Sequence, residues 1–322
     1  MGYITKYGSF WGMIPQTSGR IFWVASAASY TVEGRSYSAS DDNDGLSPER
    51  ALRTVDYAVG LTTANVGDVI VLLPGSHSVS ATITVDVAGL TITGIPGNAP
   101  MFGEHGNSGG KRNRSRITST ATAGMIFTVT AADTEIAWLD LTPIIAGAGI
   151  SFSNAADRGF VHDCTFTMSS ADDTATFGVT FPLGTGTTTE NDDTVIKNCY
   201  FVASSNCGPA IRAAGTVIGL TIENSTFELK GSTAWDDVIE SITAGSLGLK
   251  VRDCDFFTPT SATTVMTDCI DTTGMTVDAS TQVYRCYFPT GSDAFEATAT
   301  PDIVVAECYL ANTTSGAVTG SA

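Results

Sequence analysis

The chain has 322 residues, 43% hydrophobic and only 15% charged, with a formal net charge of −17. That acidity excludes nucleic acid and anionic membrane surfaces as partners, since both need a positive field, and no apolar run approaches the roughly 20 residues of a membrane-spanning helix. Thr, Ser, Gly, Val and Ile are abundant while Lys, Glu and Gln are scarce, which favours strands over helices.

Residues 1–30 read as an extended N-terminal arm rich in aromatics, among them Tyr3, Tyr7, Phe10, Trp11, Phe22 and Trp23. Its opening, MGYITKYGSFWG, has no continuous apolar stretch. This predicts that no secretory leader is present and that the protein is assembled in a cytoplasm. An approach loop and capping helix follow over 31–66. Within DDNDGLSPERALRTVDYAVG (41–60), Ser47 is placed to cap, Pro48 suits the first turn and Glu49 the positive helix end. Leu52, Val55 and Val59 make the helix's apolar face. The remainder, 67–322, reads as short strands. GDVIVLLPGSH (67–77) is a strand closed by a Pro-Gly turn, and TITVDVAGLTITGIPG (82–97) gives two more. A Gly-rich loop then carries KRNRSR (111–116), and from about 117 strands and Thr/Gly/Asp turns alternate.

One phrase recurs: FVHDCTF, VIKNCYF, KVRDCDFF, VYRCYF and VVAECYL, with serine replacing cysteine in TIENSTF. Its cysteine slot holds Leu139, Cys164, Cys199, Ser225, Cys254, Cys286 and Cys308, at spacings of 25, 35, 26, 29, 32 and 22. Such a loose period fits a coil of constant strands and variable loops. An aromatic or leucine stands two residues after each slot and a β-branched residue three before. The residue just before the slot is Asp163, Asn198, Asn224 or Asp253 in four copies, suiting the left-handed backbone of a tight corner. Arg285 and Glu307 depart from this, so the last two corners are expected to differ.

The cysteines therefore read as small apolar plugs inside a corner. Ser225 and Leu139 in the same slot argue against a redox or disulfide ladder. The count of seven leaves at least one thiol free, and no CxxC or zinc spacing exists among the cysteines and three histidines. No metal or cofactor is expected. Cys207 and Cys269 fall outside the register and read only as buried.

DDNDGLSPERALRTVDYAV followed by VGDVIVLLPGSHSV resembles the start of right-handed parallel β-helix proteins. There, an Asn-Asp-Gly loop leads to a short helix over the open end of the coil, and a Gly-Asp begins a strand ending in Pro-Gly. The cysteine phrases resemble its rungs. The resemblance covers about residues 20–310 and implies an all-β fold, a single-stranded right-handed parallel β-helix with a short capping helix. It does not select a function, because the fold hosts pectinases, lyases, adhesins, tailspikes and other virion proteins.

An enzyme of this fold would need facing carboxylates, or a calcium-binding acid cluster with an Arg or Lys base. The column before the corner reads Ala137 or Trp138, His162, Lys197, Glu223, Arg252, Tyr284, Ala306, with no adjacent acid pair. The column after the slot reads Thr165, Tyr200, Thr226, Asp255, Tyr287, Tyr309, all expected to be exposed. These tyrosines suit sugar stacking or an intersubunit face. The doublets Asp172-Asp173, Asp192-Asp193 and Asp236-Asp237 read as solvated turn acids, calcium binding by one of them or by Asp41–Asp44 being the alternative. His162 beside Asp163 does not read as a pair, because neighbours on a strand point apart.

The aromatic arm, the missing leader and the basic stretch Lys111, Arg112, Arg114 and Arg116 point to an assembly part. The chain is similar to virion β-helices of tailed bacteriophages, which usually trimerise side by side. The short arm and the weak tail ANTTSGAVTGSA favour a homotrimeric head decoration or cement protein over a long tailspike. Tyr3, Tyr7, Phe10, Trp11, Phe22, Trp23 and the four basic residues are its expected contacts with the major capsid protein or another virion protein. The alternatives are a short tail fibre binding host surface glycan and a polysaccharide lyase or hydrolase.

Overall fold

β-branched residues at alternate positions pack on a pleated surface, and here the surface is wound into a coil. The computed structural model describes residues 17–32, 34–95, 115–120, 124–143, 147–153, 155–168, 176–182, 190–203, 207–230, 235–241, 246–258, 266–273, 281–289, 294, 304–310 and 317–318. It is a right-handed parallel β-helix with three long sheets. Sheet 1 stacks ten strands, from Ile21–Val24 and Val69–Leu72 to Val304–Ala306. Sheet 2 runs from Gly75–Val79 to Cys308–Leu310, where Ala317–Val318 pairs antiparallel to the last coil. Sheet 3 stacks seven strands, from Ile83–Val85 to Met266–Asp271.

The register of the cysteine phrases holds residue by residue. Ile136, Val161, Ile196, Ile222, Val251, Val283 and Val305 align along sheet 1. The column continues upstream through Ile92 and Ile70 to Phe22, three coils that carry no cysteine phrase. The corner between sheets 1 and 2 is left-handed at Trp138, Asp163, Asn198, Asn224, Asp253, Arg285 and Glu307, with φ between 49° and 58°. The last two corners therefore do not differ. The corner N–H groups continue the ladder: Asp253 N donates to the Tyr284 carbonyl at 3.0 Å and Arg285 N to that of Ala306 at 3.0 Å. That regular bonding imposes one conformation on every coil, whatever the residue. A second left-handed column turns sheet 3 into sheet 1 through Gly89, Asp133, Arg158, Asp193, Gly219 and Gly248.

Inside, Phe166, Phe201, Phe227, Phe256 and Phe288 stack with centroids 4.6, 5.0, 4.9 and 5.1 Å apart. All five are essentially fully buried, each contributing roughly 2–3 kcal/mol of burial. Gly149 and Gly178 on sheet 3 make room for them: a Cβ would stand 2.9 Å from the Phe166 ring at the first and 2.7 Å from the Phe201 ring at the second. All seven cysteines are buried and none forms a disulfide; Cys207 and Cys269 join the core.

The expected helix is split. Pro48–Arg50 forms a 3-10 turn that Ser47 does not cap with its side chain. An α-helix occupies only Val55–Gly60, capped by Thr54, whose hydroxyl accepts from Tyr57 N at 3.3 Å. Asp41 supports that start by accepting from the Arg53 and Thr54 amides at 2.9 and 3.0 Å. Leu52, Val55, Ala58 and Val59 close the end of the core as expected. The approach loop also holds a hairpin, Ser29–Val32 with Arg35–Ser38, that the sequence did not signal.

Candidate functional site

Sheet 3 carries an unbroken polar column on its outer wall. Thr84, Thr128, Ser151, Thr180, Arg212, Glu240 and Asp271 align coil by coil. Its last members meet Asp237, and carboxylate oxygens of Asp237, Glu240 and Asp271 lie within 4.8 Å of one another. Asp237 thus belongs to the strand Trp235–Ser241, not to a turn. Arg212 lies 2.9 Å from Glu240, an ion pair rather than an aligned hydrogen bond, because its Nε makes none. Its guanidinium also lies 5.2 Å from the Phe177 ring centroid. Three carboxylates form a donor set that suits a hard cation such as Ca²⁺, which would compete with Arg212 for Glu240.

Of this group the sequence singled out only Asp237, because sheet 3 has no repeated cysteine phrase to anchor an alignment, Cys269 standing outside the register. A signal existed: Ile150-Ser151, Val179-Thr180, Ile211-Arg212, Ile239-Glu240 and Ile270-Asp271 repeat an aliphatic–polar pair once per coil. Among the other acids, Asp192 lies in the short strand Asn191–Asp192 and Asp193 at a left-handed corner, while 172–173 lie outside the described residues. Asp41 is spent on amides, and Asp44 accepts from Leu46 N at 3.1 Å and pairs with Arg50 at 3.1 Å.

A second group sits at the corner of sheets 1 and 2. His162 Nδ1 bonds Asp163 at 2.7 Å and Nε2 bonds Glu135 at 3.0 Å, while Phe160 stacks on the ring at 4.3 Å. The expectation that His162 and Asp163 point apart is overturned, because the left-handed backbone at Asp163 swings its carboxylate back toward the strand. Burial disfavours the imidazolium, but the two carboxylates outweigh it and push the pKa up to about 9. At neutral pH the ring is a cation held between two acids, which suits a structural clamp and not a general base. From Asp163 the corner continues as an amide ladder: Asn198 donates to Asp163 at 3.5 Å and Asn224 to Asn198 at 2.6 Å.

The expected contact residues divide. Tyr3, Tyr7, Phe10, Trp11, Lys111, Arg112 and Arg114 lie outside the described residues. Phe22 and Trp23 do not belong to a free arm. They sit in the first strand of sheet 1 at 2% and 3% exposure, Phe22 in the main core and Trp23 against Ala39, Ala51 and Val71. Arg116 is on sheet 2, paired with Asp140 at 3.0 Å. Thr165, Tyr200 and Thr226 are buried despite facing outward, and the Lys230 ammonium lies 5.8 Å from the Tyr200 ring centroid. Tyr287 and Tyr309 are exposed as expected.

Among the described residues, large exposed apolar side chains occur only at the two ends of the coil. Leu46, Tyr57 and Val66 surround the cap, and Phe257, Tyr287, Val304 and Tyr309 line the last coils.

No protein-family model matches the chain, and no curated protein matches it. Solved structures do. A rhamnogalacturonan lyase is 14% identical with a TM-score of 0.53, over 91% of this chain and 68% of that one. The pectin methylesterase PemA from Erwinia chrysanthemi is 10% identical with a TM-score of 0.50, over 93% and 91%. ORF18 of Geobacillus virus E2 is 11% identical over 79% and 56%, at a TM-score of 0.31 that carries no argument. At these identities the first two speak to the fold alone, which hosts enzymes acting on polysaccharides.

Proposed function

We propose that the protein is a structural component of a tailed-bacteriophage virion, a homotrimeric head decoration or cement protein that docks through its N-terminal region on the major capsid protein or another virion protein. The observation that carries this reading is the confinement, among the described residues, of large exposed apolar side chains to the two ends. Such surfaces mark contacts with other chains, and a rigid coil between two sticky ends is the form of a spacer. The cap end, with Leu46, Tyr57 and Val66, takes the capsid. The last coils, with Tyr287 and Tyr309, take sister subunits. Assembly proceeds in the host cytoplasm.

Co-sedimentation with purified shells tests it. Deletion of residues 1–30 would remove a core strand, so the informative truncation stops at Gln16. Loss of binding in that truncation or in Tyr57→Ser with Leu46→Ser, at unchanged circular dichroism, is expected. Full binding by both contradicts the docking claim.

The acid group on sheet 3 favours a second reading, a polysaccharide lyase or hydrolase, with Asp237, Glu240 and Asp271 holding a cation and Arg212 beside it. Unsaturated sugar or new reducing ends from host polysaccharide, lost in Glu240→Gln, would establish it; no product with calcium present removes it. The tail-fibre alternative now rests on Tyr287 and Tyr309, since Tyr200 is buried.

A further inference from the structure

At the mouth of the first coil a cleft of about 320 Å³ opens between the start of the capping helix and the end of strand Gly75–Val79 with the connection 80–82 that leads from sheet 2 to sheet 3. Buried Val55 and Ile83 form an apolar floor. Three hydroxyls, Ser78, Ser80 and Thr82, line the strand side. On the helix side lies the chain's Arg53, whose Nη1 donates to the backbone carbonyls of Ala25 and Ser26. Those bonds hold the guanidinium in place, and among the described residues its Nε and Nη2 donate to nothing, a fork ready for a carboxylate. His77, 4% exposed, bonds the Leu73 carbonyl through Nε2 at 2.9 Å. A carbonyl only accepts, so the proton is on Nε2 and Nδ1 carries a lone pair. Burial pushes the His77 pKa down, so the ring stays neutral and keeps that acceptor.

The lining therefore offers one anchored cation, the Asp56 carboxylate as an acceptor for hydroxyls, the hydroxyls of Thr54, Ser78, Ser80 and Thr82, one neutral acceptor and an apolar floor. A plain anion would use only the cation, and an apolar ligand would leave the rest unpaired. A ring bearing a single carboxylate, several hydroxyls and a C–H face uses all of them, and the volume lies in the range of small-ligand pockets. We propose that this cleft binds a sugar-acid residue, its carboxylate on Arg53 and its hydroxyls on Asp56, Ser78, Ser80, Thr82 and His77. The proposal does not rest on the capsid reading.

Calorimetric titration of the full chain with sodium D-glucuronate, D-glucose and sodium acetate tests it. Glucuronate is expected to bind saturably, with glucose and acetate each weaker by about tenfold or more. Arg53→Gln should erase the preference over glucose. Because Arg53 also ties the approach loop, Ser80→Leu on the exposed connection provides the second variant, expected to block glucuronate without altering the melting temperature. No saturable glucuronate binding, acetate binding as tightly as glucuronate, or glucuronate binding unchanged in both variants would each overturn the assignment.

Discussion

At the residue scale, the cysteine slot holds a small side chain that also donates in every copy of the phrase but that of Leu139. Cys199, Cys254, Cys286 and Cys308 point Sγ at the carbonyl two residues back, at 3.3, 3.2, 3.5 and 3.4 Å. Ser225 Oγ makes the same bond at 2.9 Å. Cys254→Ser should therefore cost less than about 1.5 kcal/mol in urea unfolding, and Cys254→Val more, because it loses the donor and overfills the corner. Burial pushes the Cys164 thiol up to about 12 and Cys199 well above its ordinary value, so neither is a ready thiolate or metal ligand. Two alkaline effects on stability follow. His162 is raised from its unfolded value of about 6.5, so its contribution is full below that pH and is lost as pH rises toward about 9. The raised thiols add a second loss that begins above about pH 8.5, where unfolded cysteine ionises. Melting against pH should show both, and His162→Gln should remove the first while leaving the second. Equal slopes in the two proteins between pH 6.5 and 8.5 would contradict the clamp.

At the element scale, the strands of sheets 1 and 2 were legible because the cysteine phrase repeats both the inward parity and the corner residue. Sheet 3 was less legible, since its strands share only an aliphatic–polar pair and are joined by connections of variable length. The helix from Pro48 was over-read: Pro48 and Glu49 do start a turn, but Asp41 and Thr54 restart the chain six residues later. Trp23 looked like a free aromatic because its partners, Ala39, Ala51 and Val71, come together only once the hairpin folds over sheet 1. The exposure of Tyr200 was misjudged because parity gives the face of a strand and not what lies over it. Phe227 stacks between Phe201 and Phe256, so Phe227→Ala should cost about 3–5 kcal/mol. Gly178→Ala should cost about 1–3 kcal/mol, because the new Cβ meets the Phe201 ring and, at 2.6 Å, the Ala210 carbonyl. Thermal or chemical unfolding measures both, and a Gly178→Ala protein as stable as the parent would remove the packing account of sheet 3.

At the scale of the whole molecule, the fold was readable from sequence while the function was not. A coil stabilised by stacking identical slots uses its repeats for the core, and the same repeats serve unrelated chemistries. The functional signals of this coil lie in the placement of its surface groups. The apolar ends suit assembly, the sheet 3 acids offer a cation site, and the cleft beneath the cap offers a pocket. If the proposed homotrimer forms through the last coils, Tyr287→Ser with Tyr309→Ser should shift it toward monomer in sedimentation equilibrium. The measurement that bears most directly on the proposed role is the copy number of this protein per purified particle, from quantitative mass spectrometry against the major shell protein. A simple lattice ratio to the shell protein is expected for a decoration protein. Absence from the particle would contradict the virion reading and return the acid group on sheet 3 to first place.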